Sequence, residues 1–161
     1  MTDETEFMRR AIALSEKTAL IDRAGGPFGC VIVRDGGILA EGANRVAAEN
    51  DPTWHAEMDA IRQACRRAGS PQLPGAILYT SAEPCPMCAA AAYWAGIAEI
   101  RYASTAEDIR TYSDFDDSAV VREVAKPTGA RSIPTRPMMR AEAVAVWQAY
   151  RADAAAGSRD G

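Results

Sequence analysis

The stretch "EPCPMCAAAAYWAG", residues 83–96, restricts the fold more than any other part of the chain. Pro86 suits the first turn of a helix, so a helix is expected to open here. Behind it Cys88, Ala91, Ala92 and Ala95 form one face of small side chains, which lets a helix lie close against a sheet. The segment just upstream, "GAILYTS" (75–81), reads as a strand from its branched and aromatic residues.

The flanking patterns extend this unit. "DETEFMRRAIALSEKTAL" carries Phe7, Met8, Ala11, Ile12 and Ala19 at helical spacing, with Asp3 and Glu6 placed to cap its start. After the break at "GGPFG", "CVIVRDGGILAEG" is two apolar runs around Asp35, Gly36 and Gly37, a β-hairpin pattern. "HAEMDAIRQACRRAG" predicts a helix with Met58, Ile61, Cys65 and Ala68 on its apolar face and Gly69 as its stop. "IAEIRYAS" predicts a further strand. Residues 107–118 read as a polar loop with a helical turn, and "KPTGARSIPTRP" as turns. A last helix presents Ala143, Val146, Trp147 and Tyr150. The order α-β-β-α-β-α-β, then an irregular part and a helix, predicts an α/β domain with a central sheet covered by helices. With 161 residues the expectation is a single domain over 1–153 and a flexible tail over 154–161.

Composition narrows the function classes. No apolar run approaches a membrane span, and "MTDETEFMRR" is too acidic and polar for a secretory signal, so a cytoplasmic chain is expected. A net charge of −4 speaks against nucleic acid, whose binding needs a basic footprint, and favours a small near-neutral ligand. Four cysteines in such a chain point to metal ligation or reactive thiols rather than a disulfide framework.

Cys85 and Cys88 stand at the start of the alanine-rich helix, where the dipole and free N–H groups favour thiolates. A catalytic zinc needs a third protein ligand and an open fourth place for water. His55 is the one histidine in the chain. Two positions on is Glu57. Residues i and i+2 lie about 200° apart around a helix, so the two can face one site only from a helix end. Asp51 or Thr53, with Pro52 nearby, is expected to cap that end. Two helix N-termini would then converge on one cation, with Glu57 beside the metal's water as a proton shuttle. A histidine at a helix start is more often a cap, and a lone C-x-x-C suits redox or structural metal equally well. The combination is far more specific: H-x-E followed by P-C-x-x-C is the signature of the zinc deaminases.

On these residues the chain resembles the cytidine deaminase superfamily, from "GGPFGCVIVRDGGILAEGANRV" through "NDPTWHAEMDAIRQAC" to "LYTSAEPCPMC". Within it the nearer likeness is to bacterial guanine deaminases, carried by "YWAG", "FDDS" at 115–118, "KP" at 126–127 and "IP" at 133–134. The resemblance implies a three-layer α/β/α fold with a mixed sheet of about five strands. It implies one Zn2+ held by His55, Cys85 and Cys88, with Glu57 moving protons. Asn44 would hydrogen-bond the base, Phe28 would stack on it, Asp117 would contact its edge, and Ala56 would join the substrate-binding positions. Plainer roles exist: Asn44 could close a turn, Phe28 could pack the core, and Asp116 and Asp117 could cap the segment beginning at Ser118. The implied reaction converts guanine to xanthine and ammonia, water activated by zinc attacking C2. The relatives form homodimers that swap C-terminal segments, so Asp117 would serve a neighbouring site.

Three departures from the guanine deaminase pattern bear on the substrate: no aromatic follows Tyr150, Ala82 stands where a cysteine is common, and Trp54 precedes the zinc ligand. They leave room for another aminated ring such as a triazine, a cytosine-like base or guanosine. A tRNA adenosine deaminase of the same superfamily is the nearest rival. A non-catalytic zinc module would need a fourth protein ligand, from Cys30 or Cys65, and a thiol redox protein would not need Glu57.

Overall fold

The computed structural model describes residues 4–155. By contact density the chain divides into two compact units, Met1–Val121 and Arg122–Gly161. The first unit holds the sheet. Helix α1 (Glu4–Glu16) continues into a π-helical turn (Lys17–Ile21) and is followed by β1 (Gly29–Arg34) and β2 (Gly37–Ala43). A short helix α2 (Val46–Glu49) leads to α3 (Ala56–Ala68), β3 (Ile77–Ala82), α4 (Pro86–Trp94), β4 (Glu99–Ser104), α5 (Ala106–Tyr112) and α6 (Ser118–Ala125). Asp3, expected to cap α1, lies outside the described residues.

The hairpin forms as expected, with Asp35 and Gly36 both at positive φ (54° and 76°), the backbone of a two-residue turn matched to strand twist. The strand order is β2-β1-β3-β4, with β3 and β4 parallel and the other pairs antiparallel. Four strands are described where the resemblance implied about five. The chain after β4 goes into α5 and α6 instead of returning to the sheet. Beyond them Pro127, Pro134 and Pro137 interrupt the N–H row that a further strand would need.

Alternation along β1 splits its side chains between two cores. Val31 and Val33 pack with Tyr79 against Phe7 and Ala11 of α1, while Cys30 and Ile32 pack with Leu78 against α3 and α4. The sheet is therefore covered on both faces, the three-layer arrangement. Burying side chains such as Ile32 and Leu78 stabilises by roughly 1.5–3 kcal/mol each.

The buried side of α3 differs from the expected one. Ala56, Glu57, Ala60, Ile61 and Ala64 are buried, while Met58, Cys65 and Ala68 are only partly so. Close approach selects this face. Gly42 and Ala40 of β2 leave no room for bulky side chains, so an alanine row at i, i+4 and i+8 turns toward the strand. Gly69 ends α3 in the left-handed conformation, φ 62°, as expected.

In the second unit, the Arg131 guanidinium donates to the Val124 and Lys126 carbonyls, satisfying acceptors freed at the end of α6. α7 (Arg140–Ala155) carries Trp147 and Tyr150 edge to face.

Candidate metal centre and active site

Both ligand-bearing helices open at the ligands themselves. His55 is the N-cap of α3, with extended backbone (φ −74°, ψ 157°), and Cys85 is the N-cap of α4 (φ −67°, ψ 167°), with Pro86 directly behind it. The expected cap at Asp51 or Thr53 is displaced: the Asp51 carboxylate accepts from the Thr53 N–H and hydroxyl, closing a turn before the helix. Thr53 O in turn accepts from the His55 N–H, which sets the imidazole at the mouth of α3.

His55, Cys85 and Cys88 come together, their ligand atoms all within 4.8 Å of one another. Nδ1 of His55 lies 3.6 Å from Sγ of Cys85 and 3.5 Å from Sγ of Cys88. A tetrahedral zinc with ordinary Zn–N and Zn–S bonds separates such atoms by about 3.6 Å. The donor set, two soft sulfurs and an imidazole, also fits zinc. Among the described residues Cys30 and Cys65 are not part of this group, so three protein ligands leave one coordination position open.

The sulfurs are electrostatically unequal. The Cys85 thiol is pulled down to about 4, first by a hydrogen bond from Cys88 and then by His55. Cys88 is pushed up, first by that same bond and then by burial. The imidazole of His55 is raised by its bond to Cys85. Zinc uptake at pH 8 is therefore expected to expel about one proton per site, that of Cys88, with a contribution from His55 that grows as the pH is lowered. Calorimetry in buffers of different ionisation enthalpy counts these protons. Two protons at pH 8 would mean that Cys85 starts as a thiol.

Glu57 sits in the first turn of α3, is 4% exposed, and points into this group: Oε2 accepts from the Cys88 thiol at 3.4 Å and Oε1 from the Thr80 hydroxyl at 3.3 Å. Burial, ahead of all other influences, raises its carboxyl above the ordinary value. A buried carboxyl next to a metal group is suited to holding and releasing a proton.

A cavity of about 740 Å³ opens beside the ligands, lined by His55, Phe28, Asn44, Ala82, Ser104 and Tyr112 among others. Phe28 stands edge-on to Phe115, ring centres 5.6 Å apart. Asn44 accepts from the Val46 N–H through Oδ1, so its turn-closing role is present too, and its NH2 is the donor left for a ligand. Neither Ala56, packed in the core against β2, nor Asp117 is on the described lining. The Asp117 carbonyl accepts from the Val121 N–H, and the carboxylate capping Ser118 is that of Asp116. Ala82 lines the cavity, whereas Trp54 does not: its indole lies near Arg62 and its buried Nε1 has no partner. Sequence reasoning missed Ser104, Tyr112 and Thr80. Thr80 did leave a signal, a hydroxyl in the middle of a buried strand.

Residues 1–104 match the model for the cytidine and deoxycytidylate deaminase zinc-binding region. The chain belongs to this deaminase family. Guanine deaminase of Bacillus subtilis is 46% identical over 151 residues, 94% of this chain and 95% of that protein. A crystal structure of guanine deaminase from the same organism superposes with a TM-score of 0.88 at 45% identity, covering 93% of this chain and 94% of the other. A tRNA-specific adenosine deaminase of Agrobacterium fabrum is 44% identical over 102 residues, 63% of this chain and 66% of that protein. The protein is thus a zinc-dependent nucleobase deaminase, a hydrolase of C–N bonds in cyclic amidines.

Proposed function

We propose that the protein converts guanine and water to xanthine and ammonia. The observation that carries the substrate is the likeness to a guanine deaminase along 94% of the chain, where the likeness to a tRNA-specific adenosine deaminase extends over 63%. Zinc held at this site would supply an acidic water and a positive charge beside the reacting carbon. His55, Cys85 and Cys88 hold the ion. Glu57 takes the proton from that water and delivers it to a ring nitrogen as C2 gains the oxygen. The carboxylate then takes the remaining proton from the added oxygen and passes it to the amino group, so that the C2=O bond forms as the C2–N bond breaks and ammonia departs. Phe28 stacks on the base and Asn44 donates to its edge, supported by their shared place on the cavity wall. Ala56 contributes the backbone of the first turn of α3.

The working form is a homodimer that exchanges C-terminal segments, with Asp117 reaching the base in the other subunit's site. The resemblance of "FDDS" at 115–118 to bacterial guanine deaminases supports this assignment. The enzyme works in the cytoplasm in purine metabolism, a reading supported by the likeness to a guanine deaminase along 94% of the chain. No described helix is long and apolar enough to cross a membrane.

Ammonia release is the test, with the zinc-loaded protein offered guanine, guanosine, adenine, cytosine, an aminotriazine and a tRNA anticodon stem-loop. Turnover selective for guanine is expected, from a particle of about twice the 17.2 kDa chain mass by light scattering. Selective turnover of the stem-loop would transfer the enzyme to the tRNA-editing class, and a monomeric active species would remove the exchange of segments.

A further inference from the structure

We infer that Thr80 is a positioning residue for the reaction: its hydroxyl holds the Glu57 carboxylate in the orientation needed to move protons. The inference rests on Glu57 as the proton carrier. β1 pairs Cys30 with Thr80, and alternation along β3 sends Leu78 and Thr80 to the face covered by α3. Thr80 is 0% exposed, so its hydroxyl must find a partner inside the protein, and that partner is Oε1 of Glu57 at 3.3 Å. The distance exceeds the usual O–H···O length of about 2.8 Å, as catalytic hydrogen bonds in unliganded enzymes commonly do.

Two side chains donate to this carboxylate, Thr80 and Cys88. A cysteine that ligates a metal does so as a thiolate and has no proton to donate. Of these two described donors, the Thr80 hydroxyl is therefore the one that remains in the zinc-loaded enzyme. A central strand is also the firmest support available, because β3 is hydrogen-bonded on both edges and threonine is stiff about χ1.

The experiment compares Thr80→Val, which keeps the shape and removes the hydroxyl, with Thr80→Ser, which keeps the hydroxyl. For the valine variant kcat for guanine should fall roughly 10- to 100-fold, the scale of a misplaced reacting group, with KM within about twofold and wild-type zinc content. Serine should restore kcat to within about threefold. Wild-type kcat in a zinc-replete valine variant would overturn the inference. So would equal losses in both variants, which would assign the effect to packing, or loss of zinc from the valine variant. Should the valine chain not fold, Thr80→Ala carries the same comparison. Glu57→Gln separates the two claims: if it stays active the proton-carrier reading fails, and if it is inactive while Thr80→Val is not, only the positioning role fails.

Discussion

Glu57→Gln is expected to bind zinc as the parent does and to lose roughly 100- to 10,000-fold in kcat, the usual contribution of a general acid–base group. Glutamine has the same size and still accepts from the Thr80 hydroxyl through an amide oxygen, so the cavity wall is preserved. What it cannot do is take a proton at one step and return it at the next. The same substitution should affect stability in the opposite direction. Burial raises the Glu57 carboxyl above its ordinary 4.5, so the folded state holds that proton more tightly than the unfolded one. A group raised in this way gives its full stabilisation below pH 4.5 and loses it as the pH climbs through the folded value. The metal-free wild type therefore weakens as the pH rises, whereas glutamine does not titrate. The chelated variant should gain in melting temperature relative to the wild type between pH 4 and pH 8. Steady-state kinetics with zinc analysis, then thermal melts of chelated protein at both pH values, measure the two halves. Retention of more than about a tenth of wild-type kcat would remove Glu57 from the proton path.

The metal group was legible because its constraint is local. Residues i and i+2 cannot share the side of a helix, so His55 and Glu57 imply a helix end, and Pro86 implies another at Cys85. The structure has both ends at those residues, with His55 and Cys85 themselves as caps. What stayed hidden depends on partners distant in sequence. Hydrophobicity put Met58 and Cys65 on the inner side of α3, whereas contact with Gly42 and Ala40 selects the alanines. The sequence pattern of α5 predicts no more than a helical turn, because Ile109 and Tyr112 are its only large apolar residues. Its start was nonetheless written in Thr105 and Asp108, whose side chains form a reciprocal capping box. Thr80 was visible as a polar residue in a strand, but nothing near it in sequence says that α3 covers it or that Glu57 is its partner.

Gly42→Ala should be severely damaging, and through the fold before the chemistry. A Cβ at Gly42 would lie 2.2 Å from the Ala56 carbonyl oxygen, 2.5 Å from the Ala60 nitrogen and 3.0 Å from the Ala60 Cα. All three are backbone atoms of α3, so no rotamer change relieves the contact. The helix must retreat by about 1 Å to recover ordinary van der Waals distances. A destabilisation of about 3 kcal/mol, the upper end for overpacking, is expected from the shift in urea midpoint. The retreat also moves the site, because Ala56 directly follows His55 and Glu57 directly follows Ala56. Reacting groups tolerate displacements of about 0.5 Å, so zinc affinity and kcat should each fall at least roughly tenfold in whatever protein remains folded. Gly37→Ala on the same strand is the control: its nearest neighbour would be the Arg34 carbonyl oxygen at 3.8 Å, and its effect should stay within about 0.5 kcal/mol. Wild-type stability and zinc affinity for Gly42→Ala would mean that α3 can slide along β2 without cost. The close approach of Gly42 to α3 would then have no part in aiming His55 and Glu57, and their convergence with Cys85 and Cys88 would rest on the loop from Asp51 to Trp54 instead.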